Sequence, residues 1–177
     1  MTTTFQARQT PTVAQLSHDV SALSLRSAFG QFPSGVAALA ASTDSGPAGM
    51  AVSSFTVGVS LQPPLVSVAI QNTSATWPVL RQAGTIGISI LGEGQGHIAR
   101  QLAAKGVDRF ADINTQVNDD AIFIDDAALW LETTRYAEYP AGDHLIALLE
   151  VTNLADFTNI NEPLVFHKSQ FRNLENN

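Results

Sequence analysis

The chain has 177 residues and no cysteine. That absence excludes disulfides, thiolate metal sites and a cysteine nucleophile. Basic residues are also scarce: nine Lys and Arg stand against sixteen Asp and Glu, a formal net charge of −7. Nucleic acid is bound by displacing counterions with Lys and Arg, and no excess of them exists here, so no nucleic-acid partner is expected. No apolar run approaches the roughly 20 residues that span a bilayer, so no membrane role is expected. The N-terminus lacks a basic segment followed by an apolar one. A secretory signal is therefore not expected, and the plain reading is a soluble cytoplasmic protein. Apolar residues make up 45% of the chain, which is too many for bulk disorder. The length is that of one domain with a sizeable core.

What is present is strand-like sequence cut by turn residues. Residues 1–17 are rich in Thr, Gln and Pro without an apolar period and read as a mobile tail, leaving 18–177 as the domain. Leu25, Ala28, Phe29 and Phe32 share one helical face, so a helix is predicted over about 20–31, ended by Pro33. Strands are predicted over 35–43, 65–71, 85–91, 129–138, 144–156 and 163–167. Asp44-Ser45-Gly46 reads as a hairpin turn, and Pro140-Ala141-Gly142-Asp143 joins the two longest strands. In 85–91, Ile86, Ile88 and Ile90 alternate with Gly87 and Ser89, the pattern of a half-buried strand. Short helices are predicted from Thr73 or Ser74 to Ala83 and over 95–105. Residues 111–120 read as an irregular polar excursion. Many strands with a few short helices make a mainly β protein and suggest an antiparallel barrel.

The most informative stretch is Gly49-Met50-Ala51-Val52-Ser53-Ser54-Phe55-Thr56-Val57-Gly58-Val59-Ser60-Leu61-Gln62-Pro63-Pro64. It is small and hydroxyl-rich, and strand-like sequence frames it. Its hydroxyls can both donate and accept hydrogen bonds. A plain hairpin needs no such density of small polar groups. A groove that holds a flat polar ligand against backbone does.

This stretch resembles the flavin reductase-like family, the short-chain NAD(P)H:flavin oxidoreductases of two-component monooxygenases. The resemblance also takes in Phe32-Pro33-Ser34-Gly35-Val36, Asn72-Thr73-Ser74-Ala75-Thr76, Asp108-Arg109-Phe110, Gly142-Asp143-His144 and Pro163-Leu164-Val165. Each motif alone is weak, but their order and spacing over about residues 22–172 make a strong signal. The resemblance implies the FMN-binding split barrel, an antiparallel Greek-key fold. It also implies a homodimer, with flavin held near the subunit interface.

On this resemblance, flavin contacts come from Ser34, from Met50, Ala51, Val52, Ser53 and Ser54, and from Ser60. The bland alternative for the serines is a strand edge whose hydroxyls bond local backbone. The family commonly has Thr where this chain has Ala51, so one hydroxyl that could reach flavin is missing. Asn72, Ser74 and Thr76 precede a helix start, where free N–H groups favour a phosphate, although Ser74 could simply cap the helix. Arg100, Lys105 and Arg109 place three cations within ten positions. Such a patch attracts an anionic flavin. The alternative is a solvated helix face with an Arg–Asp pair. The resemblance puts His144 beside the nicotinamide, against an ordinary surface histidine. Trp77 and Trp130 read as packing residues.

Hydride passes from nicotinamide to flavin without a protein nucleophile or general base. The function expected is therefore an NAD(P)H:flavin reductase that supplies FMN or FAD in reduced form to a partner monooxygenase. NADH and NADPH remain alternatives, as do FMN and FAD. The rival reading is a split-barrel flavin carrier, or an oxidase of another substrate, without fast NAD(P)H reaction. A barrel that serves only as an interaction module predicts no flavin binding.

Overall fold

A computed structural model describes residues 16–174. The expected tail over 1–17 falls almost wholly outside the described residues. In chain order the elements are α1 (Ala22–Phe29), β1 (Ser34–Gly35), β2 (Ala37–Thr43), β3 (Gly46–Val52), β4 (Phe55–Leu61), β5 (Pro64–Gln71), α2 (Trp77–Leu80), β6 (Ile86–Ile90), α3 (Gly96–Ala103), β7 (Thr115–Asn118), β8 (Ala121–Ile124), β9 (Leu129–Ala141), β10 (His144–Asp156), β11 (Val165–His167) and β12 (Gln170–Arg172). Nine strands form one antiparallel sheet in the order β4-β5-β10-β9-β6-β2-β8-β7, with β3 also paired to β2. The sheet does not close, because no ladder joins β3 to β4 among the described residues. This is the split barrel that the resemblance implied. β1, β11 and β12 make a separate small sheet.

Two apolar clusters lie on either side of β2. Leu39 packs with Val68, Ile70, Ile88 and Leu149 inside the barrel. Ala38 faces outward with Leu91, Ile98 and Leu102, under α3. Hence Ala37 to Ala41 are all buried, on both faces of the strand. Alanine is a poor strand former. Here tertiary packing decides, since apolar layers cover both faces of the strand.

The same effect corrects the reading of β6, which was expected to be half-buried. Ile86, Gly87, Ile88 and Ser89 are all buried. The unpredicted strand β8 crosses over the outer face. A Cβ on Gly87 would lie 2.2 Å from the Ile122 carbonyl oxygen. The Ser89 hydroxyl accepts the Ile124 N–H at 2.9 Å. The expected polar excursion over 111–120 thus contains β7, which pairs with buried β8 across a turn at Asp119 and Asp120. β4 was also missed as a strand. Three side chains clamp Glu132 of β9 beneath this hairpin: Asn118 from β7, and Asn153 (2.9 Å) and Thr152 (3.1 Å) from β10. They span a register shift between Val151 and Asn153.

The first helix forms as predicted but covers nothing: α1 buries no residue. Phe29 is 67% exposed and Phe32 78%.

Candidate active site

The central stretch becomes two edge strands, β3 and β4, joined at Ser53 and Ser54. Where they part, a groove of about 740 Å³ opens toward α3 and the end of β5. Met50, Ala51, Val52, Ser53 and Ser54 form one wall; Ser74 and Thr76 lie beyond the end of β5; Arg109 and His144 complete the ring. Nine of the thirteen predicted site residues therefore line one cavity. The groove also uses Thr73, Lys105 and Gly106, which were not singled out as contacts. Lys105 was within reach of sequence reasoning as a member of the basic cluster.

Four predicted residues lie elsewhere. Ser34 pairs with Phe166 in the small sheet. Ser60 sits at the far end of β4, where its hydroxyl accepts the Gln62 N–H at 3.2 Å. The Arg100 guanidinium lies over the Phe171 ring at 4.9 Å, a cation–π contact on the outer side of α3. Asn72 stands just outside the groove and ties β5 to the β9–β10 turn. Its N–H donates to the Asp143 carbonyl (3.0 Å) and its side-chain Nδ2 to the Gly142 carbonyl (3.2 Å).

Arg109 is held by a device legible in Asp108-Arg109-Phe110. Asp108 does not pair with the arginine; its carboxylate accepts the Phe110 N–H at 2.9 Å. The Phe110 ring packs against Gly49, where a Cβ would come within 2.6 Å of it. That contact brings Arg109 to β3. Its Nε donates to the Ala104 carbonyl (2.8 Å), and its Nη1 donates to the Gly49 carbonyl (2.9 Å) and the Thr76 hydroxyl (2.7 Å). A guanidinium has five N–H donors. Nη2 has no partner among the described residues, and no carboxylate neutralises the charge there. A half-buried cation with neutral partners and donors to spare suits an anionic ligand.

The helix after Ser74 is a single turn, shorter than expected. The Ser74 hydroxyl accepts the Trp77 N–H at 3.2 Å, while Thr76 holds the N-cap position without a side-chain capping bond. Thr76 serves Arg109. The positive charge at this end of the groove thus comes from Arg109 and Lys105 more than from a helix dipole. The Ser54 hydroxyl donates to the Ala69 carbonyl at 2.7 Å, bridging β4 to β5, so one of its hydrogen bonds goes to backbone as the bland alternative held. Trp77 is a packing residue in the barrel core, and Trp130 stacks on Phe123 at 5.2 Å.

His144 begins β10 and borders the groove, with its side chain 33% exposed. Gly142 adopts φ +65°, the left-handed conformation that a tight turn here requires and that glycine reaches without strain. The His144 Nδ1 lies 2.7 Å from the Asp143 carboxylate. That hydrogen bond first, and the charge of the imidazole when it is protonated, hold the Asp143 carboxyl below its ordinary value. No cluster of His, Asp and Glu among the described residues could hold a metal ion.

A family model described as a flavin reductase like domain matches residues 29–175. The chain belongs to that family. It is 34% identical over 171 residues to an NADH-dependent flavin reductase of a Rhodococcus species, covering 94% of each chain. The solved NADH:FAD oxidoreductase SgcE6 of Streptomyces globisporus C-1027, in complex with NAD and FAD fragments, superposes with a TM-score of 0.83. It is 32% identical, over 91% of this chain and 97% of that one. The flavin reductase SMOB of the styrene monooxygenase from Pseudomonas putida S12 gives a TM-score of 0.78 at 26% identity, over 87% and 99%.

Proposed function

We propose that this flavin reductase family member is an NAD(P)H:flavin oxidoreductase, which reduces FMN or FAD and releases it to a separate flavin-dependent monooxygenase. The observation that carries the reading is the groove, with an uncompensated guanidinium, a wall of small residues and a histidine on one cavity. When bound, flavin supplies the hydride acceptor. The free Nη2 edge of Arg109, with Lys105, attracts the flavin phosphate. Ala51, Ala69, Ala75 and Ala103 leave width for a flat ring beside backbone. His144 borders the nicotinamide and aligns it; hydride transfer needs close, fixed placement and no proton relay from the protein. Residues 18–177 act as one unit, in the cytoplasm with the nicotinamide pool they consume.

We further propose a homodimer. The open apolar face of α1 supports it, as does the edge strand β4, where Leu61 is 84% exposed. Light scattering of a fully active sample checks this: a clean monomer would remove the interface from the mechanism.

The deciding experiment mixes protein at catalytic concentration with NADH or NADPH and excess FMN or FAD, following the nicotinamide absorbance band. Many turnovers are expected. Flavin binding with no nicotinamide oxidation would establish the carrier or oxidase reading instead. His144→Ala is expected to leave flavin affinity intact and to lower kcat/KM for the nicotinamide about ten-fold.

A further inference from the structure

We propose that Asp143 is a positioning residue that fixes the tautomer of His144. The neutral imidazole then presents Nε2 to the groove as an acceptor for the carboxamide N–H of the nicotinamide. This rests on the reading of His144 as the nicotinamide contact.

The geometry is held from three sides. His144 pairs with Gln71 of β5 and with Ala141 of β9. Asn72 fixes the two preceding carbonyls, those of Gly142 and Asp143, at 3.2 and 3.0 Å. Gly142 supplies the turn. With the backbone so constrained, the Asp143 carboxylate sits 2.7 Å from Nδ1 of the next residue. An ionised carboxylate only accepts hydrogen bonds. The proton shared between the two therefore belongs to Nδ1, and Nε2 of the neutral ring carries a lone pair. Asp143 is itself exposed, with its side chain at 93%, whereas His144 is half-covered at the groove wall. The aspartate thus stands behind the histidine and acts through it.

The consequence is a choice of hydrogen bond. A carboxamide offers one acceptor oxygen and an NH2 donor. An imidazole with Nε2–H would serve the oxygen. One with a bare Nε2 serves the NH2, and so distinguishes a carboxamide from a ketone of the same shape.

The test uses Asp143→Asn, Asp143→Glu and the wild-type chain, each with FMN. An asparagine NH2 can donate to a bare Nδ1, which moves the imidazole proton to Nε2. Nitrogen-15 spectra of the histidine rings at about pH 9, above the ordinary histidine range, are expected to show His144 as Nδ1–H in the wild type. Asp143→Asn should show Nε2–H, and Asp143→Glu should return to Nδ1–H. In steady state, kcat/KM is compared for the reduced nicotinamide and for its reduced 3-acetylpyridine analogue, which keeps the carbonyl and replaces NH2 by methyl. Intrinsic reactivity cancels because every variant sees the same two substrates. The preference for the carboxamide is expected to fall about ten-fold in Asp143→Asn, the loss of one hydrogen bond. FMN affinity and Tm should not change, and Asp143→Glu should recover the preference. An Nε2–H wild type overturns the proposal. So does a switched tautomer with unchanged preference. If His144→Ala also leaves the nicotinamide kinetics intact, the failure lies in the reading of His144 itself. A large His144→Ala effect beside an inert Asp143→Asn confines the failure to Asp143.

Discussion

Arg109 and Glu132 are both charged groups tied into the fold by neutral partners, and they differ in what is left over. Neither meets an opposite charge among the described residues. Glu132 is 7% exposed and takes donors from Asn118, Thr152 and Asn153, from strands on both sides of it. These contacts occupy most of the capacity of a carboxylate. Arg109 is half-buried, spends three donors on Ala104, Gly49 and Thr76, keeps Nη2 unpaired among the described residues, and lines the groove. A charge whose hydrogen bonds are used up locks strands together. A charge with bonds to spare, on a cavity wall, is arranged for something that arrives later. The first belongs to stability and the second to binding, and substitutions should separate the two.

The largest effect is expected at the closed end, where Gly87 of β6 pairs with Glu132 of β9 under β8. Gly87→Ala drives a methyl group toward a backbone oxygen 2.2 Å away, which cannot swing aside as a side chain would. Overpacking of this kind costs about 3 kcal/mol or more. Denaturant unfolding should show it as a lower midpoint with an unchanged slope. A wild-type midpoint would mean that β8 rides loosely over β6, and the closed end would lose its distinction.

Glu132→Ala comes next. It removes a charged acceptor of three side-chain hydrogen bonds whose exposed donors then turn to water, for a loss of about 1.5–3 kcal/mol, or roughly 3–12 °C in Tm for a chain of this size. FMN affinity at low temperature should not change. The pH dependence has a definite sign. Hydrogen bonds, from Asn118 first and then Asn153, hold the Glu132 carboxyl below its ordinary value. Its contribution is therefore complete above the unfolded value of about 4.3 and is lost as pH falls through the lower folded value. Glu132→Gln should flatten acid unfolding in that window. An unchanged acid profile would show that the clamp contributes nothing to stability.

How much of this contrast could be read from residue order depends on the range of the contacts. Asp108-Arg109-Phe110 is local, and its turn, its aromatic and its guanidinium were legible together. The β9–β10 hairpin was equally so, because Gly142-Asp143 marks a turn between two long apolar alternations. Glu132 was illegible: the hairpin sets Asn153 opposite it only after a register shift at Thr152, and Asn118, 14 residues away, reaches it only when β7 folds back over β9. β8 was missed for a related reason. A four-residue strand buried on both faces has no alternation to show. Arg100 was misplaced because helical spacing puts it near Lys105 without revealing which side of α3 faces the groove. Ser60 was misplaced because a register shift between Thr56 and Ser60 carries the rest of β4 away from the cavity.

At the open end, Arg109→Gln should separate ligands by charge. A charge-assisted hydrogen bond is worth about 1.5–3 kcal/mol, roughly 10–100-fold in Kd. FMN, with its phosphate, is expected to weaken by that factor in a flavin fluorescence titration, while riboflavin changes little. Thr76→Val should show a smaller loss of the same selectivity, since its hydroxyl holds Nη1. Equal losses for both flavins would make Arg109 a strut between β3 and the loop after α3, and the two charged residues would then be of one kind.

The smallest effect is the one that adds a group. Ala51 is half-buried on β3, between Met50 and Val52 on the groove wall, and a hydroxyl is missing there relative to the family pattern. Threonine is β-branched and suits an extended strand. It pairs across from Ala38, whose own side is packed under α3. Ala51→Thr should therefore keep its fold if the hydroxyl turns into the groove. One neutral hydrogen bond contributes about 0.5–1.5 kcal/mol, so flavin affinity should rise roughly 2–10-fold. Riboflavin and FMN should gain equally, because the new contact would be to the ring and not to the phosphate. That is the opposite of the selectivity expected at Arg109. A gain confined to FMN would put the phosphate beside β3 and would turn the ligand end for end in the groove. No gain, with Tm preserved, would show that backbone of the β3 wall already meets the atom the hydroxyl was meant to reach.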